Sequence, residues 1–345
     1  MGLQEFWFIL IAVLFVGYFV LEGFDFGVGM LMPVLGKTEN RRRVLLNTIG
    51  PVWDGNEVWL IVGGGALFAA FPDWYATLFS GFYLPLLIIL VALILRIVAI
   101  EWRGKIDDDK WRRRADWGIM IGSWVPAVLW GVAFANIVRG VAINADKKVT
   151  STFFDLLNPY ALLGGITTAL VFALHGAVFI ALKTADDVRI DAADLAKKLA
   201  IPTVPIAGGF VLWTQLAHGK GWTWILVALA AIAVIAVVFL TRAESEGWAF
   251  AFTTLAVIAT VVLLFASLYP NVMPSTTSEA YNLTIENASS SPYTLKVMSW
   301  AAVILTPIVL CYQGWTYWVF RKRISTKHIP PSIGLSRKAG STKVG

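Results

Sequence analysis

Apolar runs of about 20 residues recur along this 345-residue chain, and each is long enough to cross a hydrocarbon core about 30 Å thick. A backbone in lipid must satisfy its own hydrogen bonds, so each run is expected to fold as a helix. Nine such helices are read, near 5–32, 52–71, 77–101, 116–140, 158–183, 200–216, 221–241, 247–269 and 296–321. The sixth is the shortest, and Pro202, Pro205, Gly208 and Gly209 interrupt it. The first lacks a basic n-region and a small-residue cleavage site and is read as a retained helix. The fold class is therefore an all-α integral membrane protein. A single transmembrane domain, 1–323, is followed by a basic tail, 324–345, expected to be disordered. Only 14% of the residues are charged, against about 25% in a soluble domain, which excludes a soluble enzyme.

Lysine and arginine set the orientation. With the N-terminus outside, the alternating inner segments and the C-terminal tail hold 22 basic residues. The outer segments hold five: Arg139, Lys147, Lys148, Lys220 and Lys296. Arg96 alone lies within a span. Nine crossings then bring the C-terminus to the cytoplasmic side, in agreement with its basic tail. The net charge of +6 is accounted for by topology and does not indicate nucleic acid. The outer segment 270–295 is rich in Ser, Thr and Asn and reads as a polar cap over helix ends. An amphipathic inner turn is expected around 186–198. Cys311, the one cysteine, can form no intrachain disulfide, and nothing in cysteine usage supports a metal centre.

Against this apolar background, one run stands out: Trp53-Asp54-Gly55-Asn56-Glu57-Val58-Trp59. Ionised groups at membrane depth are costly and rare unless they are used. Glu22 and Asp25 lie late in the preceding span and Arg96 late in the following one. With ~1.5 Å rise per residue, Glu22 and Asp25 fall about 26–30 Å along the first helix and Arg96 about 28 Å along the third. Asp54 and Glu57 open the second helix from the inner side, so all five charges are expected at similar depth. Each acidic pair is three residues apart and shares a helix face. Gly23, Gly27 and Gly55 are expected to let those faces approach closely. One arginine cannot neutralise four carboxylates, and burial among like charges favours the neutral carboxyl. At least one acid should therefore hold a proton and be able to pass it on. The functional reading is a proton-uptake path from the inner face; the plain one is an ion pair that locks three helices.

Other polar groups carry less. Of three histidines, only His175 lies at membrane depth, and it reads as a buried imidazole bonded to a neighbouring helix. One isolated histidine does not support a multi-haem chain within this protein. Arg139 reads as snorkelling, and Glu101 and Arg103 as facing water. Trp53, Trp59 and Trp102 could floor a quinone or lipid site, although Trp at that depth is ordinarily an anchor.

At these residues the chain resembles the second subunit of cytochrome bd quinol oxidases. The resemblance runs through Glu22-Gly-Phe-Asp25-Phe-Gly-Val-Gly-Met30, Trp53-Asp-Gly-Asn-Glu-Val-Trp59, Gly63-Gly-Gly-Ala-Leu-Phe-Ala-Ala-Phe71 and Ser80-Gly-Phe-Tyr83. It continues through Trp117-Gly-Ile-Met-Ile-Gly-Ser123, Leu156-Leu-Asn-Pro159, Trp248-Ala-Phe-Ala-Phe252 and Val272-Met-Pro-Ser275. It implies nine helices packed as two helical bundles plus a peripheral helix. It also implies a partner, subunit I, carrying two b-type haems, haem d and the quinol-oxidising loop. This subunit would bind no haem itself; a structural quinone, membrane lipid or small accessory subunit is compatible with the resemblance. Carried over, Asp25, Asp54 and Arg96 are the matching polar positions, with Trp59 beside them and Glu22 and Glu57 completing the cluster. Many members carry glutamine where this chain has Glu57. Two other readings stand beside this one: a secondary transporter working through intramembrane carboxylates, and a purely structural subunit. No inverted repeat is visible, and the acids sit near one face, not at the midplane.

Overall fold

The computed structural model describes residues 2–331 and 334–336. Eleven α-helices carry the described fold: α1 (Leu3–Leu35), α2 (Glu39–Ile49), α3 (Trp53–Ala70), α4 (Pro72–Gly81), α5 (Tyr83–Trp102), α6 (Asp109–Arg139), α7 (Pro159–Lys183), α8 (Asp186–His218), α9 (Trp224–Arg242), α10 (Glu246–Leu268) and α11 (Pro292–Val319). Eight helices among the described residues are long and apolar enough to cross a membrane. α3 is not one of them, because Asp54, Asn56 and Glu57 at its head dilute its apolar run. The most constraining motif thus lies on the one expected span that is not among those eight.

Helix boundaries follow local chemistry. Asp108 caps α6 by accepting the Lys110 and Trp111 N–H groups at 2.6 and 3.0 Å. Asn158 caps α7 ahead of Pro159. Two boundaries differ from expectation. The helix expected at 77–101 begins at Tyr83, and residues 72–81 form α4. Pro85 explains the break: within a helix started at 77 it would remove a hydrogen bond and clash, but in the first turn of α5 its missing N–H costs nothing. The helix expected at 200–216 instead runs from Asp186 to His218 without interruption, absorbing the amphipathic turn. Pro202 and Pro205 lie on its less buried side, while Ala196, Ala200, Thr203, Ala207 and Phe210 are buried. Packing on α7 therefore carries the helix past its breakers.

α1, α6, α7 and α10 form the centre, with α3 and α5 packed on one side and α8 and α9 on the other. Burial grades accordingly: 72% of the α7 span is buried but only 6% of α11, which touches α1 and α3 at the edge. Aromatic rings fill the middle, with Phe15, Phe19, Trp130, Phe134, Phe172 and Phe265 in mutual contact. The Trp130 indole donates to the buried Tyr18 hydroxyl at 3.1 Å, so the polar ends of both rings are satisfied.

The loops gather at two ends of the bundle. At one end, β2 (Asn271–Met273) pairs antiparallel with β3 (Leu283–Thr284). There Ser290 N–H donates to Ala70 O at 2.8 Å and Val141 N–H to Pro274 O at 3.2 Å. At the other end lie the basic segments: Lys37 pairs with Asp191 at 3.0 Å, and Arg43 donates to Pro330 O at 2.6 Å. Here β1 (Ile106–Asp107) pairs with β4 (Leu335–Ser336), and Ile324 bridges Thr184. The described part of the tail expected to be disordered thus lies along the basic end. Its residues 332–333 and 337–345 fall outside the described residues.

Candidate functional site

Arg96 is the largest fully buried side chain of the described residues. A glycine makes room for it: a side chain at Gly122 on α6 would collide with the Arg96 backbone and Cβ. A buried guanidinium needs carboxylate partners, and two helices supply them. Arg96 Nη1 donates to Glu22 on α1 and to Glu57 on α3, the latter at 3.1 Å. The Phe26 ring lies 4.8 Å beneath the guanidinium carbon, a favourable place for a desolvated cation. Three of the five charged groups expected to meet are therefore in direct contact.

The other two part company. Asp25 is fully buried and reaches α3 through Asn56, whose Nδ2 donates to Asp25 Oδ2 at 2.7 Å. Asp54 is exposed on the outer side of α3 and makes no ion pair or side-chain hydrogen bond to the described residues. Glu57 lies between these extremes, with 13% of its side chain exposed. The acids thus descend from surface to core: Asp54, then Glu57, then Glu22 and Asp25. Several atoms of the cluster have no hydrogen-bond partner among the described residues: Glu22 Oε2, Asp25 Oδ1, Arg96 Nε and Arg96 Nη2. Buried polar atoms are nearly always paired, so four such atoms in one cluster set it apart from the rest of the described core.

The glycine expectation holds in part. Gly27 packs backbone to backbone on Gly176 of α7, and Gly23 faces the Phe172 ring. These glycines bring α1 against α7, not against α3. Gly55 meets nothing within 4 Å, so it does not bring the acidic faces together; the Arg96 ion pairs and Asn56 do.

Three participants escaped notice in the sequence. Asn56 stands inside the motif but was assigned no role. Its Oδ1 accepts from the Tyr317 hydroxyl at 2.7 Å and from Gln313 Nε2 at 3.3 Å. Gln313 Oε1 in turn accepts from the Trp59 indole N–H at 2.9 Å. The available signal was the spacing of Gln313 and Tyr317, four apart on one face of an otherwise apolar helix.

A second ionic network lies about 10 Å further along α5, two helical turns on. Arg103 is buried, not water-facing as expected. It binds both oxygens of Glu39 at 2.7 and 2.8 Å and pairs with Asp116 at 2.5 Å. Arg42 adds Asp116 at 3.2 Å, and Arg112 adds Asp107 at 2.6 Å. Burial alone would raise the Glu39 carboxyl, but hydrogen bonds and charge from Arg103, with Arg112 and Arg42, outweigh it and hold Glu39 below its ordinary range.

His175 is stacked on Phe250 at 4.7 Å. Its ring nitrogens face Thr253 Oγ1 at 2.7 Å and Val20 O at 3.1 Å, so both are engaged by protein, as the reading of a buried imidazole bonded to a neighbouring helix expects. Trp53, Trp59 and Trp102 differ in setting: Trp53 is buried, Trp59 bonds α11 and Trp102 is exposed. A cleft of about 540 Å³ lies between α3, α4 and α5 among Leu60, Gly64, Phe68, Phe79, Tyr83 and Leu90. Its apolar lining suits a lipid chain.

Comparison with known proteins places these features in context. The profile of the family described as cytochrome bd terminal oxidase subunit II matches residues 3–320. The chain is 47% identical to cytochrome bd ubiquinol oxidase subunit 2 of Bacillus subtilis, over 94% of this chain and 98% of that one. It is 36% identical to cytochrome bd-I ubiquinol oxidase subunit 2 of Escherichia coli K12, over 95% and 96%. In fold it is similar to the bd oxidase of Geobacillus thermodenitrificans, with TM-score 0.76, 16% identity and coverage of 92% of this chain and 97% of that one.

Proposed function

The chain belongs to the cytochrome bd terminal oxidase subunit II family, and we propose that its acidic cluster carries protons within that quinol oxidase. As a member, it is a multi-pass protein of the bacterial plasma membrane and a subunit of a bd-type terminal quinol oxidase. This decides against a secondary transporter. In our reading α3 is a ninth crossing helix, the N-terminus is outside, and the tail from 324 is cytoplasmic. The helices then group as α1, α3, α5 and α6, and α7 to α10, with α11 peripheral. The partner is subunit I, which carries two haems b and haem d; when bound there, these supply the electron transfer and oxygen chemistry. Quinol oxidation at the outer face releases protons there, and protons for water formation enter from the cytoplasm. Charge separation follows from opposed release and uptake, without pumping. A quinone or lipid in the α3–α5 cleft and a small accessory subunit are compatible additions.

One observation carries the proton path: a graded row of four carboxylates leading to a single arginine, with buried oxygens of Glu22 and Asp25 unpaired among the described residues. An ion-pair lock needs one acid for one base. Here Glu57 and Asp54 extend the row to the subunit surface, where a proton can be exchanged with water or the partner. Removing the outer acid, as in Asp54→Asn, should slow oxygen reduction several-fold in the assembled complex at unchanged haem content. Normal turnover by that complex would remove Asp54 from the path.

A further inference from the structure

The hydrogen bonds between α3 and α11 have a direction; Trp59 sets it, and the Leu21 carbonyl, 3.5 Å from Asn56 Nδ2, agrees with it. An indole N–H can only donate, so the Gln313 atom 2.9 Å from Trp59 Nε1 must be the carbonyl Oε1. Gln313 then turns Nε2, a donor, toward Asn56 at 3.3 Å, and the Asn56 atom there must be Oδ1. The Tyr317 hydroxyl donates to that same oxygen at 2.7 Å. Asn56 is left with Nδ2 facing Asp25 Oδ2 at 2.7 Å. Both amide orientations follow from their partners. Because an amide NH2 cannot accept, Asp25 Oδ2 is held as an acceptor and can hold no proton directed at Asn56. A proton on Asp25 is therefore turned away from Asn56, and Oδ1, buried and without a partner among the described residues, is the oxygen open to exchange it.

We propose that α11 is a positioning element for Asp25: the Trp59–Gln313–Asn56 chain fixes Oδ2 as acceptor and confines proton exchange to Oδ1. This rests on the proton-path reading. It gives Trp59 a different part from the one its place beside the acids suggested: it sets polarity and carries no proton. A row of amides offers no carrier, so protons do not leave the cluster toward α11. The arrangement also gives a reason for polar contacts on a helix only 6% buried, where apolar packing alone would hold it no less well.

The test uses the assembled two-subunit complex and infrared difference spectra between its oxidised and reduced states. The Asp25 carboxyl band is the one lost in Asp25→Asn. In Gln313→Met the side-chain volume is kept but the link to Trp59 is broken, and Asn56 is held only by the Tyr317 hydroxyl, which can donate or accept, and by the 3.5 Å contact to Leu21 O, so its oxygen can turn toward Asp25. The Asp25 band should then shift or split, and kcat should fall about five- to tenfold, the loss expected from one mispaired hydrogen bond of roughly 1–1.4 kcal/mol. The KM for quinol and the haem content should stay unchanged. Trp59→Phe removes the donor that sets the direction and should perturb the same band. An unmoved Asp25 band in both variants overturns the proposal, as does loss of the assembled complex in both, which would make α11 a scaffold. Normal turnover in Asp25→Asn would sink the underlying proton path instead, so the two failures are distinguishable.

Discussion

Two arginines on one face of α5 do opposite things. Arg103, at the basic end, shares a network with Glu39 and Asp116 in which Arg42 and Arg112 take part. Every acid there has a basic partner. Arg96, two turns deeper, faces Glu22 and Glu57 directly and Asp25 nearby, and two of its own nitrogens have no partner among the described residues. The first arrangement has the composition of a clamp: charges balanced, one edge wet, three chain segments held together. The second has an excess of acid in a site where unpaired charge is expensive. A structure that solves the pairing problem fully at Arg103 and only in part at Arg96 is not short of cations. In the proposed reading, the difference separates charge that fastens helices from charge kept available for transfer.

The comparison can be broken from either side. Arg96→Met leaves Glu22 and Glu57 facing apolar surroundings, and should cost about 3–5 kcal/mol. Little haem-bearing complex should then co-purify with the chain; recovery of stable complex would mean that the acids are held by something else. Arg103→Met should cost less, about 2–3 kcal/mol, because Glu39 is 38% exposed and can return to water. Thermal unfolding should register that loss while turnover per haem stays unchanged. A turnover defect would erase the distinction between the networks.

Smaller effects sharpen it. Glu57→Gln keeps a hydrogen-bond acceptor for Arg96 at the half-buried edge. It should lower turnover by no more than about threefold, a change below ~1 kcal/mol; a complete block would make Glu57 an obligatory carrier. Glu39 is held below its ordinary value of 4.5 by Arg103. Its pairing therefore stabilises the fold above that pH and is lost as pH falls through the lowered value. The stability difference between the wild type and Glu39→Gln should shrink below about pH 4.5, by under ~1 kcal/mol. A difference that persists undiminished in acid would show that the pair contributes through packing.

Much of this was legible in the sequence because lipid imposes strong rules. Run lengths marked the helices, and alternation alone placed Glu22, Glu57 and Arg96 at one depth, where they do meet. What failed was local. Pro85 moved a helix start because a proline's position within the first turn decides whether it breaks or begins a helix. Pro202 and Pro205 read as breakers, yet packing on α7 outweighed them. Depth cannot specify rotation, so Asp54 and Asp25 looked equivalent although one faces outward and the other inward. Arg103 looked like a surface charge because its partner Glu39 lies 64 positions away in sequence. Gln313 and Tyr317 lie on the most exposed helix, where polar residues attract little attention, and their partner Asn56 stood in plain view between two more conspicuous acids.

The central claim is that the buried acids move protons. It is tested most directly by Asp25→Asn in the assembled complex reconstituted in vesicles, following quinol-driven oxygen consumption and proton uptake from the cytoplasmic side together. Asparagine keeps the size and the hydrogen bonding of the site but cannot release a proton. Both rates should fall at least about tenfold, at least ~1.4 kcal/mol in the barrier, with haem content unchanged. Native rates of oxygen consumption and proton uptake in that complex would show that the cluster only holds the helices together.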